Sequence, residues 1–115
     1  MGRVYEMAAH LLLADTPFSR NRNYEAFRDP RFKSALALYR RLRALLSDLE
    51  RANVDGSRLM ILEETHAGRP SMRLDVVGPR GRRTAWLEKP AWEVLMSHPS
   101  ARSAVTALAT KNVAA

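Results

Sequence analysis

The longest regular pattern in the chain lies between Asp29 and Gly56. Phe32, Ala35, Tyr39, Leu42, Leu46 and Leu49 recur at spacings of three and four, and Leu38, Leu45 and Ala52 widen the stripe. Side chains at those spacings share one face of a helix, so the pattern predicts a long helix, Pro30–Ala52, with a single apolar side. Asp29-Pro30 supplies a start signal: the carboxylate can accept from the first free amides, and Pro at the first helical position loses no hydrogen bond. Asn53 and Asp55-Gly56 supply the stop, because these residue types tolerate the left-handed conformation that closes a helix.

Shorter patterns flank this one. Residues 3–14 read as a first helix with Val4, Met7, Ala8, Leu11 and Leu12 on one face, ended by Asp15-Thr16-Pro17. In 16–28 either Thr16-Pro17 or Asn23 could cap a short helix carrying Tyr24 and Phe27, and the alternative is a polar connector. After the long helix the period changes. Arg58–Thr65, Met72–Val77 and Arg83–Glu88 read as strands, joined by the turn-rich segments His66–Ser71 and Gly78–Arg82, which suits an antiparallel meander. Pro90 opens a helix through Met96, and Pro99 opens an Ala-rich one whose apolar face is Ala101, Ala104, Val105 and Leu108.

Register decides which side chains face the long helix. In the second strand Met72, Leu74 and Val76 point one way and Arg73, Asp75 and Val77 the other. Pairing Leu62 with Leu74 turns Met60 and Leu62 inward and sets Glu63 opposite Arg73. The long helix then packs across a Met60/Leu62/Leu74/Val76 face, and the outer face carries Leu59, Ile61 and Val77. Such an apolar outer face implies a cover, either a terminal helix or a second copy of the chain. These three residues are therefore the candidate protein contacts. Trp86 has two readings. Opposite Leu74 it belongs to the core; one residue out of step, opposite Arg73, its ring turns outward between Arg73 and Arg82 as a cation–π platform.

Composition refines the picture without naming a chemistry. The chain has 115 residues, enough for one domain over 1–115 with its own core and no metal or disulfide staple. It has no cysteine, which removes thiolate metal sites and thiol nucleophiles. The net charge is +7, distributed as zero over residues 1–29, +3 over 30–56, +3 over 57–89 and +1 over 90–115. The excess therefore sits on the long helix and the strands and not in a tail. No apolar run approaches the roughly 20 residues that span a bilayer. The first 14 residues resemble a signal peptide only faintly, since Glu6 and His10 interrupt them, so the expected location is cytoplasmic.

Candidate chemistry is thin. His10, His66 and His98 are not spaced as a metal pair, and none of the usual ligand sets can be written, so no metal and no cofactor is expected. Glu63 and Glu64 are neighbours in a strand and point to opposite faces, so they cannot share a proton. Gly78-Pro79-Arg80-Gly81-Arg82-Arg83 is similar to a phosphate-cradling loop. No helix follows it, however, and Pro79 removes an amide the cradle would need, so it reads as a basic hairpin turn. The order of long helix, meander and helix is that of small dimeric nucleoid-associated proteins, and winged-helix domains also end in a hairpin. No motif residue of either is present, so the order identifies no family.

The expectation is an α+β domain of order α-α-α-β-β-β-α-α. The expected role is that of a non-enzymatic adaptor or regulator acting through protein–protein contacts, as a homodimer, at Leu59, Ile61 and Val77. The alternative is nucleic-acid or anion binding through Arg40, Arg41, Arg69, Arg73, Arg80, Arg82, Arg83 and Trp86, provided helix and turns share a face. An enzyme without an identifiable catalytic set comes third.

Overall fold

The computed structural model of the protein describes residues 2–14 and 30–113. Its elements are α1 (Gly2–Ala14), α2 (Phe32–Val54), β1 (Arg58–His66), β2 (Arg69–Gly78), β3 (Gly81–Glu88), α3 (Lys89–Met96) and α4 (Pro99–Val113). The fold is α+β, with one antiparallel sheet of order β1-β2-β3. The short helix expected within 16–28 lies outside the described residues.

The stripe of α2 forms as its spacing requires: Phe32, Ala35, Leu42, Leu46, Leu49 and Ala52 are buried. The helix is shifted toward the C-terminus relative to the expected bounds. Pro30 and Arg31 form a turn ahead of it, and Arg31 is the N-cap, its side chain making no capping hydrogen bond. Asp29, the expected cap, lies outside the described residues. At the other end Gly56 takes φ +75°. The Ser57 amide donates to the Ala52 carbonyl at 2.9 Å and the Gly56 amide to that of Asn53 at 3.3 Å. This paired closure is a Schellman motif, and it fixes where the chain leaves the helix.

Leu42, Leu46 and Leu49 share a core with Leu59, Leu74 and Leu87 of the three strands. Ala91 and Leu95 of α3, Ala101 and Leu108 of α4, and Ala8 and Leu12 of α1 complete it. Burying each such leucine contributes about 1.5–3 kcal/mol. A smaller cluster of Met7, Leu11, Phe32 and Ala35 joins α1 to the start of α2.

The sheet corrects the expected register. Ile61, not Leu62, lies opposite Leu74, and His66 pairs with Arg69. The reason is the turn. Only Ala67 and Gly68 connect β1 to β2, with φ of 52° and 77°, the geometry of a type I′ turn that continues the strands' twist. A two-residue link leaves one pairing available, and it is one step from the expected one. Leu59 is 1% exposed in the core and Ile61 packs against it. Met60, expected inside, is 46% exposed on the other face, where Leu62 stands beside Arg73. Of the three expected outer-face contacts, Val77 alone faces outward, and it sits between Arg58 and Arg82. The link Pro79-Arg80 sets the second hairpin in the same way. It puts Arg73 opposite Trp86, the outward of the two Trp86 readings, and Gly78 opposite Gly81.

Candidate anion-binding site

Two groups of arginines occupy different parts of this frame. Those over the middle and far end of the sheet are matched. Arg82 Nη2 donates to Asp75 Oδ2 at 2.6 Å, and the Thr84 hydroxyl donates to Oδ1 at 2.7 Å. Arg73 Nη1 lies 3.1 Å from both Glu64 oxygens, while its Nε stands 3.3 Å from Asp75 Oδ2 out of hydrogen-bond alignment. Asp75 is 1% exposed although it belongs to the outer face; the side chains of its neighbours roof it over. The Thr84 and Arg82 hydrogen bonds hold its carboxyl below the usual range, against the opposing effect of burial. Arg69 donates to Glu88 at 3.1 Å, and Arg41 of α2 to the Trp86 carbonyl at 2.7 Å. These cations hold the sheet together and have little charge left for a partner.

Trp86 lies within the matched group. Its ring stacks on His66 with centroids 4.1 Å apart and planes 9° from parallel, and the Arg73 guanidinium is 5.9 Å from its centroid. Ser71 in the strand between, buried and bonded to the Arg69 carbonyl at 3.0 Å, is small enough to lie in the hollow these rings border. The Tyr5 hydroxyl reaches Glu88 at 3.4 Å. Burial first, then the Glu88 charge, raises the pKa of that phenol. His66 is exposed but held by the stack.

The second group is unmatched. The end of α2 and the β2–β3 turn enclose a concave pocket of about 360 Å³, lined by Arg51, Asp55, Ser57, Arg80, Arg83 and the glycines of the turn. Among the described residues none of these three guanidiniums makes an ion pair or a side-chain hydrogen bond. Arg51 arrives on the last turn of α2. Arg80 is in the turn itself, and Arg83 projects from β3 on the helix side, opposite Val76. Asp55 is the one acidic lining residue, which leaves the pocket with two net positive charges. Ser57 reaches it because the Schellman closure of α2 delivers residue 57 there.

The structure thus separates the arginines expected to act together. Arg80 and Arg83 share the pocket. Arg82 turns to Asp75; Arg41, Arg69 and Arg73 are engaged elsewhere; Arg40 is exposed on α2. Arg51 joins the site from a distance of about 30 residues, from the last turn of α2. Ser57 carried no signal of its own. Among the described residues no cluster of His, Asp or Glu could hold a metal, and no helix is long and apolar enough to cross a membrane.

No family model matches this chain. Nor is any curated protein or solved structure significantly similar to it.

Proposed function

We propose that the protein is a non-enzymatic binding module for the phosphate backbone of a nucleic acid, engaged at the end of the molecule where α2 stops and the β2–β3 hairpin turns. One observation carries this reading: Arg51, Arg80 and Arg83 converge from two elements on a concave surface without ion-pair partners among the described residues. Arg58, which follows Ser57, places a further exposed cation on the other face of the same sheet end, beside Val77. Contacts of this kind go to phosphate and carry little sequence information. Binding to a duplex or single strand is expected to weaken steeply with salt, with a slope near 0.9 per phosphate neutralised on a duplex. Arg80→Glu combined with Arg83→Glu is expected to lower affinity at least about tenfold at low salt. No gel shift at low salt by the unaltered protein overturns the proposal.

A second reading, a protein contact or homodimer through the outer sheet face, is supported by Met60, 46% exposed, with Leu62 beside it on the same strand. Sedimentation at micromolar concentration tests it, and a monomer unaffected by Met60→Lys removes its support.

A further inference from the structure

Ser57 is the most enclosed polar group of the pocket. The residue is 6% exposed, and its hydroxyl has no hydrogen-bond partner among the described residues. It also crowds the opposite wall: a Cβ added at Gly78 would stand 2.3 Å from Ser57 Oγ. Only a hydrogen at position 78 leaves that oxygen its place. With no bond inside the described chain and the pocket in front of it, that hydroxyl is free to donate to a group that enters.

A phosphate backbone crossing the molecular surface has no need of such a group. Each internal diester offers two non-bridging oxygens and a single charge. A terminal monoester offers three oxygens and about −1.5 to −2 of charge at neutral pH. Three guanidiniums and one hydroxyl supply donors for three oxygens, and the pocket's two net positive charges match the dianion. Asp55 at the rim opposes any anion in proportion to its charge, and the three guanidiniums outweigh it. It also offers an acceptor to a sugar hydroxyl attached to the phosphate.

We infer that the pocket takes a phosphate monoester at the end of a nucleic-acid strand, with Arg51, Arg80 and Arg83 around the phosphate and Ser57 donating to one of its oxygens. This rests on the backbone-binding reading above and narrows it from the strand to its end.

The test is a competition against a fluorescent single strand, using unlabelled 12-nucleotide strands of one sequence that carry a 5′-phosphate, a 3′-phosphate or hydroxyls at both ends. One phosphorylated strand is expected to compete at least about tenfold better than the hydroxyl strand. Ser57→Ala and Arg83→Gln are expected to shrink that advantage to about threefold or less. Should Ser57→Ala disturb folding, Arg80→Gln in the exposed turn serves as the second variant, with circular dichroism as the check. Equal competition by all three strands overturns the inference and leaves the backbone-binding reading standing. An end preference that survives every pocket variant also overturns it. Inorganic phosphate or a nucleoside monophosphate competing as well as the phosphorylated strand keeps the monoester site and overturns the strand-binding reading instead.

Discussion

The two ends of the sheet use the same residue type in opposite ways. Over its middle and far end Arg69, Arg73 and Arg82 each meet a carboxylate, and the best-shielded of these, Asp75, gathers two of them with Thr84. At the hairpin-turn end Arg80 and Arg83, with Arg51 from α2, make no ion pair among the described residues, and Asp55 is the one acidic group lining their pocket. Arginine count and net charge do not distinguish the ends; partner geometry does. A matched arginine is part of the fold. An unmatched one, held by rigid elements around a hollow, is available to something else.

The comparison breaks first at Asp75. Asp75→Ala should cost about 2–3 kcal/mol in urea denaturation, because Arg82 and Thr84 lose their shared acceptor and Arg73 loses a shielded counter-charge. A loss below about 0.5 kcal/mol would show that the matched network contributes nothing. The same carboxylate predicts an acid limit. Its pKa is lowered by folding, so the stability it contributes is complete above the ordinary carboxylate range and is lost as pH falls through that range and below. Denaturant midpoints measured from pH 7 to pH 3 should fall less in Asp75→Asn than in the unaltered protein.

Gly78→Ala comes next, at about 1–2 kcal/mol, since the new methyl meets Ser57 Oγ. Adding Ser57→Ala should recover part of that loss in the double variant, and a purely additive result would show that the two walls do not touch. Ala67→Asn should stabilise by roughly 0.5–1 kcal/mol, because Ala67 holds φ 52° in a turn that favours Asn-Gly. The smallest change is expected at the unmatched end. Arg83→Gln should alter thermal stability by less than about 0.5 kcal/mol, in contrast to its effect on ligand competition. A large loss there would place Arg83 with the structural arginines.

Much of the fold could be read from the sequence, because periodicity reports burial directly. The α2 stripe, the α1 face, the α4 face and the three strands all followed from spacing. Pairing was harder to read. Ala67-Gly68 lacks the Asn or Asp that announces a type I′ turn, so the connection read as six residues and the strands appeared one step out of register. Trp86 inherited the same ambiguity until Pro79-Arg80 fixed its partner as Arg73. The candidate site was half visible: Arg80 and Arg83 are close in sequence, whereas Arg51 and Ser57 join them only once α2 has closed over Gly56. Nothing in the pattern of charges said which arginines would find carboxylates.

The Ala67-Gly68 link has a consequence beyond geometry. β1 carries aliphatic side chains at 59, 60, 61 and 62, so the strand itself is indifferent to which alternate pair points inward, and the length of the link acts as a parity bit. One residue inserted there would exchange Leu59 and Ile61 for Met60 and Leu62 along the whole ribbon. A sequence change in a solvent-facing loop would thereby rewrite the interior of the protein without touching a single interior residue.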